Sequence, residues 1–347
     1  MNENLLDRAR VVLRHALEVR SGDELVLLSD GSVDRSVVEA FGAAGWALGA
    51  RMMQLTYSPL EVVAMREFGV FAAASLDPRP RLPRAVTQAL ATADAAVIVN
   101  SDMSIMFDAG LRAVIGSGAT KLGWAPYLSE DAALRLLPAS AGECVELSEL
   151  TSATSARFGG DHEVLVTSPA GTELRLRIGE HRVNCGTGVA SSGAGYGGLE
   201  IWPGGQVSTA PNRHSAHGTL VIDRSVNAPR YSEIATPIEL RVEAGYVVEV
   251  TGGTDAAELR AWLASLDDPE AYHLTELGVG TNARCHFAGV AAPCEDTHTL
   301  GCVSFALGAD VHLGGEVAAP CHVDVTMRRA SLLIDDRPVV VDGKLRA

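Results

Sequence analysis

The feature that most constrains this chain is a change of rhythm two-fifths of the way along it. In the first part, short apolar runs alternate with segments of helical periodicity. "ELVLLSD" (24–30), "ARMMQLTY" (50–57), "DAAVIVN" (94–100) and "TKLGWA" (120–125) read as strands. Between and before them, residues 4–18, "VDRSVVEAFGAAGWALG" (33–49), "RAVTQALATA" (84–93) and "FDAGLRAVIGSG" (107–118) read as helices, with Asp34 near the start of the second and Gly49 at its end. Strands separated by helices imply a parallel sheet covered on both faces. From about residue 145 the period shortens. "HEVLVTSPAGTELRLRIG" (162–179) is a hairpin around a Ser-Pro-Ala-Gly turn, and "GTLVIDRSV", "PIELRVEAGYVVEVTGG" and "ASLLIDDRPVVVDGKL" are further strands. The helix "TDAAELRAWLASL" (254–266), capped by Thr254 or Asp255, interrupts them. The expected organisation is an α/β domain over 1–144 with a parallel sheet, then a mainly antiparallel, β-rich (α+β) catalytic domain over 145–347. The proline-rich "DPRPRLPR" is a connector inside the first domain.

Several function classes are disfavoured at once. A net charge of −15 with scattered basic residues does not suit nucleic acid, whose phosphates need clustered Lys and Arg. The charged N-terminus is unlike a signal peptide, and no apolar run reaches the length of a membrane span. Six cysteines without a CxxC pair read as reduced thiols, which points to a cytoplasmic protein. The first strand ends in "SDGSVD", which is neither GxGxxG nor a Walker sequence, so the first domain is expected to be a scaffold without a nucleotide cofactor.

The second part holds nine of the ten histidines, and four polar stretches there are candidates for chemistry. In "PCHVDVTMRR", His322 and Asp324 are two apart in a strand and share a face, either as a hydrogen-bonded pair or as two ligands of one metal. In "AYHLTELGVGTNARCHF", Glu276 stands among apolar residues and needs a partner, whether an arginine or a metal. A glutamate joined to the His-x-Asp pair gives one nitrogen and two oxygen donors, a set for a divalent cation with positions left open. His214 and His217 are three apart in a loop, while His298 and Glu295 lie in "CEDTHTLG". His312 falls ten residues before His322, close enough to fold back as a base or an extra ligand, although a solvent histidine beside Gly314-Gly315 fits equally. The glycine-rich run 185–198 reads as a rim loop.

Three ordered blocks, "WPGGQVSTAPN…SAHGTLVID", "DDPEAYHLTELGVGTNARCHF" and "GGEVAAPCHVDVTMRRASLLIDDRPVVVDGKL", resemble one superfamily. It holds the two-metal aminopeptidases of the T and S type and the mononuclear Fe(II) enzyme 2,5-dihydroxypyridine 5,6-dioxygenase. The resemblance extends over nearly the whole chain, and the last block is most similar to the dioxygenase. It implies that His322 and Asp324 bind metal. At the third position it matches the peptidases, with Glu276 where the dioxygenase has a histidine. Elsewhere the chain departs from both groups: Gln206 replaces the bridging glutamate and Ser304 a histidine of the peptidases, and Ile201 replaces an active-site histidine of the dioxygenase.

The resulting expectation is one divalent ion, Fe(II), Zn or Mn, held by Glu276, His322 and Asp324, with His312 and His217 as catalytic groups. The leading reading is a hydrolase of a small amide or cyclic amide acting through a metal-bound water. An Fe(II) ring-cleaving dioxygenase of a hydroxylated pyridine-like or aromatic substrate is the alternative, and a metal-free binding protein a third. The resemblance further implies a homodimer acting on a small molecule.

Overall fold

A computed structural model of the protein describes residues 2–58, 82–101, 105, 108–126, 128–190, 199–229, 231–287 and 295–346. The described residues fall into two compact units. One runs to Glu149 and includes Cys185–Gly205; the other comprises Leu150–Asn184 and the chain from Gln206 onward.

The first unit begins with α1 (Glu3–Val11), which runs on through a π-helical turn, Val12–Ala16. Then come β1 (Glu24–Ser29), α2 (Arg35–Ala47), β2 (Arg51–Thr56), α3 (Arg84–Thr92), β3 (Ala95–Asn100), α4 (Ala109–Ser117), β4 (Lys121–Pro126), α5 (Glu130–Leu136) and α6 (Ala141–Ser155), whose residues from Leu150 on belong to the second unit. Local chemistry sets these boundaries. The Asp34 carboxylate caps α2 by accepting from Ser36 N, and Asp108 caps α4 by accepting from Leu111 N. Gly118, at φ +62, closes α4 in the left-handed conformation. β3 is buried along its whole length, as a central parallel strand must be.

The chain continues as β5 (His162–Thr167), β6 (Glu173–Ile178) and β7 (Asn184–Gly186), and gives the first unit β8 (Leu199–Ile201). The remaining strands are β9 (Gln206–Thr209), β10 (His217–Ile222), β11 (Ser225–Val226), β12 (Ser232–Glu233), β13 (Ile238–Glu243), β14 (Tyr246–Gly252), β15 (Leu274–Gly280), β16 (Val303–Gly308), β17 (His322–Thr326), β18 (Ser331–Ile334), β19 (Arg337–Val341) and β20 (Lys344–Leu345). α7 (Thr254–Ser265) follows β14; its cap is Gly253, without a side-chain bond, and neither Thr254 nor Asp255.

Three sheets result. The first, β2-β1-β3-β4-β8, is parallel throughout. The second has the order β14-β13-β10-β6-β5-β18-β19-β20, and the third β12-β11-β17-β16-β15-β9-β7. The strand pairs described in the second and third are antiparallel. An N-terminal parallel sheet followed by antiparallel β-rich sheets is the fold class expected from the sequence.

The second unit's core lies between its two sheets. Val164, Leu174, Leu220 and Leu240 from one sheet join Val207, Leu277, Phe305, Leu307, Val323 and Val325 from the other in a single apolar cluster. Burying each such side chain contributes about 1.5–3 kcal/mol. Because strands alternate, the partners of these residues along β9, β15, β16 and β17 stand on the opposite face of the third sheet. That face carries the polar groups. Among the described residues no helix is long and apolar enough to cross a membrane.

Candidate metal centre

The strand register places the site. Glu276 of β15 pairs with Ala306 of β16, which in turn pairs with Asp324 of β17. One row across three neighbouring strands thus reads carboxylate, methyl, carboxylate. Strands are spaced about 4.8 Å apart, so the small side chain of Ala306 leaves room above the middle strand for both carboxylates to lean inward. His322, two residues before Asp324, stands on the same face and pairs with Gly308. Gly308 is at φ +103, and a Cβ there would lie 2.2 Å from the Cys321 carbonyl oxygen, so no other residue fits this approach.

A register shift between Leu274 and Glu276 turns the glutamate out of the core. Leu274 and Leu277 both join the apolar cluster although they are three residues apart, a spacing that simple alternation forbids. The irregularity absorbs the extra residue and sends Glu276 to the opposite face.

His322 Nε2 lies 3.2 Å from Glu276 Oε2 and 3.3 Å from Asp324 Oδ1. One ligand atom from each of the three residues falls within 4.8 Å of the others, and this is the group of metal-type donors found among the described residues. Adjacent ligand atoms about 2.1 Å from a shared cation sit roughly 3 Å apart, so the spacing fits one ion. Glu276 and His322 are each 5 % exposed. Asp324 is partly exposed; with a neutral imidazole the two carboxylates carry two negative charges, which one divalent cation cancels. The donors form a facial triad suited to a single divalent metal ion such as Fe(II), Zn or Mn.

Neighbouring groups orient these donors. His322 Nδ1 is 2.8 Å from the Ala309 carbonyl oxygen, to which it donates, so Nε2 is the nitrogen facing the carboxylates. Asn227 clamps Asp324 from both sides. Its Nδ2 donates to Asp324 Oδ2 at 2.7 Å, and its Oδ1 accepts from Asp324 N at 2.9 Å, leaving Oδ1 of the carboxylate toward His322. Burial disfavours the charged imidazolium, but Asp324 and Glu276 outweigh it and push His322 up to about 10.

Beside Glu276 the face is neutral. Around the point where a Gly278 Cβ would lie, Ser304 Oγ is 2.5 Å away, Gln206 Nε2 3.2 Å and Glu276 Oε1 3.8 Å. The sheet therefore brings Gln206 and Ser304 next to Glu276, where neither adds charge.

The histidines expected to take part are placed differently. His217 is exposed at the start of β10 in the second sheet, opposite Arg175, and its Nδ1 accepts from Ala244 N at 3.2 Å. The structure does not bring it to the three donors. His214 is also exposed, at φ +64, with Nδ1 3.2 Å from the Ala244 carbonyl oxygen. His298 and Glu295 are buried near the end of β15, at 5 % and 1 % exposure. His312 sits in the 3-10 turn Val311–Leu313, and its side chain lies outside the described residues, as do residues 191–198 of the glycine-rich run and most of the proline-rich connector.

Sequence reasoning missed Asn227 and Ala306. Asn227 follows β11 and reaches a partner 97 residues away, which no local pattern announces. Ala306 could have been found, since a small residue flanked by Phe305 and Leu307 on a buried strand marks a place where something else needs room.

A family model described as NicX: 2,5-dihydroxypyridine 5,6-dioxygenase matches residues 5–347. A curated 2,5-dihydroxypyridine 5,6-dioxygenase from Pseudomonas putida KT2440 is 30 % identical over 190 residues, 52 % of this chain and 53 % of that protein. That alignment spans about half the length of the curated relative. The solved structure of 2,5-dihydroxypyridine dioxygenase from Pseudomonas putida KT2440 superposes with a TM-score of 0.80 at 22 % identity, covering 99 % of this chain and 97 % of that one. Wild-type AmpT from Thermus thermophilus superposes with a TM-score of 0.66 at 17 % identity, covering 99 % of both chains. Both structures share the fold.

Proposed function

The chain belongs to the 2,5-dihydroxypyridine 5,6-dioxygenase family, and from that premise we propose that it is a mononuclear Fe(II) enzyme cleaving a hydroxylated, pyridine-like ring with O₂. The observation that carries this reading is the Glu276–His322–Asp324 triad on one face of the third sheet, in a chain that the family model matches from residue 5 to 347. Fe(II) bound there supplies the redox chemistry that lets O₂ react with an aromatic ring.

The protein's own residues do the rest. Glu276, His322 and Asp324 would hold the ion through one nitrogen and two oxygen donors. Ala309 and Asn227 fix two of those donors so that little reorganisation is needed on binding. The neutral residues Gln206, Ser304 and Gly278 keep further charge away. The expectation of hydrolysis therefore gives way to oxygen chemistry, and a metal-free role explains neither the convergence of three donors nor their clamping.

One observation favours a second reading. The triad has one imidazole and two carboxylates, whereas ring-cleaving iron sites usually carry two imidazoles and one carboxylate. The additional negative charge would suit a Lewis-acid hydrolase of a small amide. Oxygen uptake separates the two. The protein, loaded with iron under anaerobic conditions and given 2,5-dihydroxypyridine, is expected to consume about one O₂ per ring lost and to be inactive with zinc. Turnover of a cyclic amide with zinc and without O₂ would replace this reading. A homodimer in the cytoplasm belongs to the same proposal, and analytical ultracentrifugation checks its first half.

A further inference from the structure

The metal-bearing face of the third sheet continues past Glu276 toward β9 and β7, and polar groups are buried there with nothing to bond. Ser208 pairs with Gly278, which pairs with Ser304, which pairs with Thr326, so a row of small and hydroxyl residues runs directly beside the Glu276–Ala306–Asp324 row. Ser208 is fully buried and its Oγ has no hydrogen-bond partner among the described residues. On the neighbouring strand β7, Asn184 is 1 % exposed, and both its Oδ1 and its Nδ2 lack a partner among the described residues. The preceding residue, Val183, packs against the apolar core, so alternation turns Asn184 to the face that carries Ser208 and the triad.

Buried polar groups are nearly always bonded, and those that are not call for an explanation. Here three such atoms lie on neighbouring strands of one face, near a metal triad. A carboxamide offers one acceptor and one two-proton donor in a plane. Its complement is a group with an N–H next to a C=O. We propose that Asn184 and Ser208 form a recognition site for the lactam edge of a 2-hydroxypyridine-type ring in its pyridone form. The ring N–H donates to Asn184 Oδ1, and the ring carbonyl accepts from Asn184 Nδ2 and, with its second lone pair, from Ser208 Oγ.

This assignment rests on the ring-cleaving reading above and gives it a selectivity. The site should prefer a ring bearing an N–H and C=O pair over a benzene ring with the same oxygens, because the benzene analogue leaves the amide unpaired. Asn184 and Ser208 act in binding and are not ligands of the metal.

The test is anaerobic calorimetry on zinc-loaded protein, which binds without turning over. The probes are 2,5-dihydroxypyridine and 1,4-dihydroxybenzene, with thermal unfolding measured alongside. Wild type is expected to bind the pyridine at least ten-fold tighter. Asn184→Leu should remove that preference by weakening the pyridine's binding at least ten-fold. Its melting temperature should hold or rise, because no bonded group is lost. Ser208→Ala should weaken pyridine binding several-fold, also without loss of stability. Equal binding of both rings by wild type, or an Asn184→Leu variant that still discriminates, overturns the assignment and leaves the ring-cleaving reading intact. A marked fall in the melting temperature of Asn184→Leu also overturns it, by revealing a structural partner. Zinc-loaded wild type that binds neither ring sinks the ring-cleaving reading and this assignment together.

Discussion

Asn227 shows how much one side chain can decide. It holds one oxygen of Asp324 and the backbone N–H of the same residue, so the other oxygen has a single direction open to it. Removing such an orienting partner usually weakens a metal site 10–100-fold without removing a ligand. Asn227→Ala should therefore bind iron or zinc 10–100-fold more weakly while its circular dichroism spectrum is unchanged. A wild-type affinity in that variant would show that the clamp is incidental.

A second residue, Glu200, makes a prediction in the first unit. It is 1 % exposed; one oxygen accepts from Gly188 N at 2.8 Å and the other is buried without a partner among the described residues. Burial pushes its carboxyl up to about 8 from an ordinary 4.5. The folded protein thus keeps a proton that the unfolded chain releases between those values. Its contribution to stability is complete below pH 4.5 and declines as the pH rises toward 8, by up to about 1.4 kcal/mol per unit. Glu200→Gln keeps the bond to Gly188, so it should flatten that part of the stability profile in denaturant titrations at a series of pH values.

At the scale of elements, the site depends on what the middle strand leaves out. Ala306 lies between the two carboxylates and is fully buried. Ala306→Leu would fill the space the ion needs, and overpacking there should cost roughly 1–3 kcal/mol. The expected result is a folded protein, lower in melting temperature, that binds no metal. Retained metal would mean the donors converge somewhere other than above β16.

Elements also decide what could be read beforehand. The strand–helix alternation of the first part and the hairpins of the second are local patterns, and β1–β4, β5–β6 and β13–β14 follow them. His322 and Asp324 were legible because a period of two is set by the strand itself. Glu276 stood out as a carboxylate among apolar residues, and the unequal spacing of Leu274, Leu277 and Val279 already contains the shift that turns it outward. The three-residue strand β8 was not legible, since its place beside β4 is a property of the sheet and not of its own sequence. His217 was singled out for its spacing from His214, and in the structure its imidazole is exposed at the start of β10 in the second sheet.

For the whole molecule, the second unit is built as two antiparallel sheets, with the core on one face of the third sheet and the chemistry on the other. The triad then places a buried and a half-buried carboxylate beside one imidazole, where a divalent cation balances them. Metal should stabilise the fold by mass action, by about 2.7 kcal/mol when free metal is a hundred-fold above its dissociation constant. Chelation should lower the melting temperature accordingly, and adding back iron or zinc should restore it. Glu276→Ala should melt at the same temperature with and without metal.

The most direct test of the central claim is the metal content of protein purified without chelators and reconstituted anaerobically with iron, beside Glu276→Ala and His322→Ala. About one equivalent in wild type and almost none in either variant is the predicted result. Retention of the full equivalent by either variant, or none in wild type after reconstitution, would contradict it.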